Sequence, residues 1–186
     1  MRLLKITGLF CFLILAACNK DLTERETTVA KTLPVSAAQN IPTLPTTGSG
    51  EVTFDYTPVN KVVNYKISWK DLTDSVIAIW INGPSPAGYN SVNPAFTGAS
   101  PTAPTTTPHM VVQEFVGTST KSLYGKSGSF SGSLLVEGVK VTEDLLKGGY
   151  YYFTIHTKTT IPSPATPPSS LAYRWIGEIR GQLTIQ

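Results

Sequence analysis

The chain is poor in cysteine, with two in 186 residues, Cys11 and Cys18, both near its start. Nothing beyond residue 18 can form a disulfide, an iron–sulfur site or a cysteine-based zinc site. Stability there has to come from a hydrophobic core, and about 140 residues are enough to bury one. Histidine is equally scarce, at His109 and His156. There is no run of Lys or Arg, so no nucleic-acid footprint is supported. No glycine loop of the phosphate-cradling kind occurs. No serine has a nucleophile-elbow setting, because Gly128-Ser129-Phe130-Ser131-Gly132 lies inside an expected strand. The spacing of Glu114, Glu137 and Glu178 suggests no glycosidase pair.

What is present begins at the front. Arg2 and Lys5 precede a short apolar run over residues 9–15, followed by Ala16-Ala17-Cys18. A positive start, a short apolar stretch and small residues before the cleavage point describe a secretory signal peptide. The stretch falls short of the ~20 residues of a membrane span. The cysteine after Leu15-Ala16-Ala17 resembles the lipobox of bacterial lipoproteins. That resemblance implies that residues 1–17 are removed and that Cys18 becomes the mature N-terminus, carrying a thioether diacylglycerol and an acylated amine. Several acyl chains, at roughly 0.8 kcal/mol per buried CH₂, hold a protein stably on a membrane. Loss of Arg2 and Lys5 lowers the formal net charge from +3 to +1, so the sequence pI of about 8.8 overstates the basicity of the mature chain. Asn19 in the position after the cysteine is compatible with an outer-membrane address. Lys20-Asp21 resembles surface-export signals of some Gram-negative lineages, and linker solubility explains those charges equally well.

Residues 18–47 carry few large apolar side chains and much Thr, Pro and Ala. Such a composition cannot offset chain entropy by burial, so the segment is expected to be a disordered tether with a reach of roughly 30 Å. From Gly48 the pattern turns to period two. Val52, Phe54 and Tyr56 alternate with polar neighbours, as do Val63, Tyr65, Ile67 and Trp69. Further strands are expected over 76–81, 110–116, 129–136, 150–157 and 173–185. One short helix follows Thr142, with Glu143 and Asp144 in its first turn and Gly148-Gly149 at its end. About seven strands and almost no helix argue for an antiparallel β-sandwich, Greek-key or immunoglobulin-like, over residues 48–186. Two proline-rich segments, 84–108 and 158–170, are expected not to pair as central strands. They are solvated loops, glycosylated loops or contact loops. Tyr89 and Phe96 in the first of them are the candidate loop contacts, being aromatics without a core to fill.

The strings Tyr152-Phe153-Thr154-Ile155-His156-Thr157 and Gly177-Glu178-Ile179-Arg180-Gly181-Gln182-Leu183 resemble the end of a CHRD (chordin-type) domain. The Gly128 to Gly132 string, the short helix, Tyr65-Lys66-Ile67-Ser68-Trp69 and Ala78-Ile79-Trp80-Ile81-Asn82-Gly83-Pro84 fall in that family's order. The resemblance implies a secreted β-sandwich interaction module. One departure matters. The family pattern carries two histidines before Gly-Pro, where this chain has Trp80 and Asn82. Of the ligand set so implied only His156 survives, and one imidazole is not a transition-metal site. No metal and no other cofactor is therefore expected.

Alternation places Thr154 and His156 on one strand face, and Glu178 and Arg180 on one face of the last strand. If those strands are neighbours, His156 can meet Glu178 or Arg180 across them. The four residues then form either a recognition patch or a hydrogen-bonded network that fixes register. Taken together, the chain reads as a lipid-anchored, non-enzymatic binding or structural module of a Gram-negative cell envelope. Its partners are the membrane, through the lipid, and an envelope or extracellular protein or glycan. The competing class is a metal-dependent, superoxide-dismutase-like or hydrolytic envelope enzyme. Cys18→Ala is expected to abolish incorporation of labelled fatty acid and to leave the precursor uncleaved by the lipoprotein peptidase. Normal maturation of that variant would sink the lipoprotein reading.

Overall fold

Each period-two segment of the sequence becomes a strand. The computed structural model describes residues 28–41, 43–89, 110–116, 124–162, 170–172 and 177–185. In chain order these form β1 (Val29–Ser36), a 3₁₀ turn (Ala37–Gln39), β2 (Ser49–Thr57), β3 (Val62–Lys70), β4 (Val76–Gly83), β5 (Met110–Val116) and β6 (Gly128–Leu135). Helix α1 (Glu143–Lys147), β7 (Tyr151–Thr157), β8 (Thr160–Pro162), β9 (Ser170–Ala172) and β10 (Ile179–Leu183) follow. Eight strands make one antiparallel sheet in the order β5-β4-β7-β10-β1-β2-β3-β6, and β8-β9 is a separate ribbon. The all-β expectation holds. The strands belong to one curled sheet, where the sequence reading has two stacked ones. Curling brings opposite walls together: the Tyr65 ring on β3 meets Phe153 on β7 edge-on at 4.9 Å. Phe115 and Phe130, on the two edge strands, lie 4.3 Å apart.

The apolar phase of the two alternating segments is buried: Phe54, Tyr65, Ile67 and Trp69 join Phe153, Ile155, Ile179 and Leu183 in a single cluster. Burial of the Tyr56 phenol, aided by the nearby Glu143 carboxylate, pushes its pKa up to about 12. The helix stands where its cap signal puts it, with the Leu145 N–H donating to Thr142 Oγ1 at 3.4 Å. Among the described residues no helix is long and apolar enough to cross a membrane.

The described residues of 158–170 form no central strand, as expected: Thr160 and Pro162 pair with Ala172 and Ser170 in a two-stranded ribbon, where both strands are edges and proline is tolerated. One expectation needs correction, and it concerns the tether. Residues 29–36 are not a disordered linker but a strand inside the sheet, in register with β2 from Val29↔Tyr56 to Ser36↔Ser49. Val29, Lys31, Leu33 and Val35 are its inward phase, and a lysine in that phase together with Pro34 hides the alternation. Pro34 survives because of where its missing donor points. Its carbonyl lies 3.1 Å from where a Gly181 Cβ would stand, so that edge of the residue faces β10. There β1 and β10 share the single registered pair Ser36↔Arg180, and little ladder is lost. Gly181 permits this approach, since a Cβ at that point would stand 2.6 Å from Val35 Cγ2.

Val35 tests this arrangement. It is 1% exposed, so Val35→Ala is expected to cost about 1.5–3 kcal/mol. The denaturation midpoint of the variant, measured at constant m-value, checks it. An unchanged midpoint would return these residues to a linker.

Candidate functional site

The last two long strands carry the polar residues singled out by sequence, and register decides which of them meet. β10 lies beside β7 with Ile179↔Ile155, Arg180↔Thr154 and Gln182↔Tyr152 in register. On the other side of β7, Trp80↔Thr154 and Asn82↔Tyr152 pair from β4. One face of β4-β7-β10 therefore gathers Trp80, Asn82, Tyr152, Thr154, His156 and Arg180. All but Trp80, which is half-buried, are buried.

His156 is held from its own strand. Its Nε2 lies 2.7 Å from Thr154 Oγ1, and the same hydroxyl accepts from Asn82 Nδ2 at 2.9 Å. The Trp80 and His156 rings are 4.1 Å apart and tilted by 43°. The Trp80 Nε1–H is buried and finds no acceptor among the described residues. Thus Trp80 packs directly on His156, while Asn82, in register with Tyr152, reaches it only through Thr154. Among the described residues no group of three or more His, Cys, Asp and Glu side chains is placed to hold a metal ion.

Arg180 is 1% exposed, and its guanidinium carbon stands 3.8 Å over the Tyr152 ring. Desolvation pushes its pKa down, opposed by Tyr152, and the group nevertheless stays protonated. Its Nη2 donates to Gln182 Oε1 at 2.8 Å. Gln182 Nε2 in turn donates to the carbonyls of Ser85, at 3.1 Å, and Gly149, at 2.5 Å. One amide thereby joins β10 to the end of β4 and the start of β7. A cation desolvated over an aromatic face is worth about 2 kcal/mol.

Glu178 departs from the expected grouping. Gly177, at φ +80°, turns the chain into β10 in a backbone region that favours glycine. A Cβ there would also stand 2.9 Å from Thr154 Cβ. Glu178 itself is a bend ahead of β10, and its side chain leaves the His156 face. Its Oε1 accepts from Thr46 Oγ1 at 2.6 Å and from the Thr73 N–H at 2.8 Å. Its Oε2 accepts from Thr73 Oγ1 at 2.7 Å and Thr157 Oγ1 at 2.6 Å. The carboxylate is fully buried and receives four hydrogen bonds, which is what a buried carboxylate that meets no cation among the described residues needs. Asn40 Nδ2 adds a bond of 2.8 Å to the Glu178 carbonyl, and Gln39 Oε1 accepts from the Gln182 N–H at 3.1 Å. The segment between β1 and β2 thus supplies much of what holds β10. Sequence reasoning missed buried Asn40, half-buried Thr46 and exposed Thr73, whose polar, loop-like composition gives no sign of a shared partner.

Tyr89 is 38% exposed, its N–H donating to the Pro86 carbonyl and its own carbonyl accepting from Ser85 Oγ. Phe96, His109 and Cys18 lie outside the described residues. No protein-family model, curated protein or solved structure matches the chain.

Two substitutions separate the clusters. Glu178→Ala removes the acceptor of the buried Thr157 hydroxyl, a loss of about 1–3 kcal/mol, and of three part-buried donors from Thr46 and Thr73 that water can partly satisfy, so a loss of at least about 1–3 kcal/mol is expected. Glu178→Gln is expected to cost less, because its carbonyl oxygen still accepts and threonine hydroxyls can accept from its amide. His156→Gln is expected to cost from a fraction of a kcal/mol to about 3. Thermal unfolding of the three variants checks that order, and an unchanged melting temperature for Glu178→Ala would show that the clamp carries no stability.

Proposed function

We propose that this chain is a lipid-anchored, non-enzymatic binding or structural module of a bacterial cell envelope, built on a chordin-type β-sandwich. The observation that carries the reading is the commitment of the polar residues to the fold itself. Each oxygen of Glu178 already accepts two hydrogen bonds. Gln182 spends its amide on backbone carbonyls, and Thr154 links His156 to Asn82. A general acid or base must exchange a proton with substrate within hydrogen-bond reach, and a fully buried, saturated carboxylate has no path to one. Two walls of one curled sheet closing on a common aromatic core are compatible with a sandwich, as the resemblance implies. The lipobox at Leu15-Ala16-Ala17-Cys18 supports the address.

The competing reading is a metal-dependent enzyme, and metal content separates the two. Elemental analysis of the purified full chain is expected to find no stoichiometric zinc or copper. A stoichiometric metal that disappears in His156→Gln would overturn the binding-module reading.

A further inference from the structure

The structure fixes where an N-terminal anchor would attach, and that end of the sheet has an unusual surface. Because β1 begins at Val29, nine residues separate Cys18 from the first described residue, Thr28, a path of ten residue-to-residue steps. Fully extended, that spans at most about 35 Å. Thr28 itself is fixed to the sheet, its Oγ1 2.8 Å from Thr57 Oγ1. Thr57 pairs with Val62, and Val62 with Leu135, so the β2–β3 turn, the end of β6 and the following loop share the end at which β1 starts.

Of the five large apolar side chains most exposed among the described residues, Val59 (59%), Leu135 (57%) and Val139 (84%) stand at that end. Tyr89 follows Gly83 at the end of β4, and the register through Asn82↔Tyr152 and Leu183↔Tyr151 puts it at the same end. Tyr124 alone is at the other, bridged to Val76 and packed on Trp69. The Val139 loop is built to stand out. The Glu137 carboxylate accepts from the backbone N–H groups of Val139, Lys140 and Val141, and Gly138 turns at φ +85°. The carboxylate that would oppose a lipid surface is therefore turned onto the loop's own backbone, which holds its pKa below the ordinary carboxylate value. Single exposed apolar residues need no explanation, but a cluster at one end does.

We propose that this end of the sheet, with Val139 at its tip, rests on the membrane that holds the lipid, so that the module stands with β1 entering from the bilayer. The proposal rests on the lipoprotein reading. The attraction is apolar rather than ionic, since Lys61, Lys140 and Lys147 are balanced here by Glu137, Glu143 and Asp144.

The test uses the mature full chain in vesicles of phosphatidylethanolamine and phosphatidylglycerol whose acyl chains carry bromine. A polarity-sensitive fluorophore is placed by Val139→Cys, and in a second sample by Lys126→Cys at the far end; the Cys18 sulfur is blocked by its lipid. The label at position 139 is expected to be quenched several-fold more than that at 126, and to stay so at high salt. Equal quenching of the two labels, or quenching at 139 that high salt abolishes, would overturn the proposal while leaving the anchor in place. The mass of the same sample reports the anchor separately. A chain without acyl groups would overturn the lipoprotein reading and this proposal with it.

Discussion

The arrangement depends on a buried carboxylate that no cation among the described residues meets. Glu178 is tied by Thr46, Thr73 and Thr157 to the segment before β2, the connection from β3 to β4, and the end of β7. Without it, β10 would keep β7 on one side, and on the other a single registered pair with β1 and the bonds from Gln39 and Asn40. An ionised group in this setting is tolerated only because every strong acceptor position is met, and in a low-dielectric interior such charge-assisted bonds are roughly twice as strong as neutral ones. The clamp places the first residue of the last strand, and that placement sets which residues of β10 face His156.

Much of the molecule was legible in the sequence. Alternation of Val52, Phe54 and Tyr56, and of Tyr65, Ile67 and Trp69, placed strands whose faces are buried as expected. Thr142 marked its helix through a capping chemistry that acts within three residues. β1 was not legible, because its inward phase contains Lys31 and its length contains Pro34, and both are rare in an interior strand. Nor was the partner set of Glu178. A strand rule assigns 178 to the face of 180 and 182, but 178 is a bend ahead of β10, which begins at Ile179, so the alternation does not reach it. Local patterns foretell local structure, while the clamp joins residues up to 132 positions apart.

The face with His156 is filled by packing and hydrogen bonds. The Trp80 indole packs on the imidazole, and the Asn82 amide reaches it through Thr154. Those interactions have the cross-strand packing and hydrogen bonding that stabilise sheets. Arg180 over Tyr152 extends the same logic, burying a cation against an aromatic face and passing its hydrogen bond to Gln182. The network joins β4, β7 and β10, and it aligns those strands as a set of side-chain ties rather than as a pocket.

Cysteine scarcity and the carboxylate clamp belong together. A disulfide stabilises largely by restricting the unfolded chain, whereas hydrogen bonds to Glu178 exist only once distant segments have met. The closure entropy of those loops is therefore met during folding, before the clamp offsets any of it. The sheet order has the same consequence, since β1 pairs with β10 and β3 with β6 across long stretches of the chain. A fold dominated by such distant pairings folds slowly relative to helical domains of its size. Its native state is then held by interactions that local sequence does not encode, which is why the core strands are easy to read here and the ties between them are not.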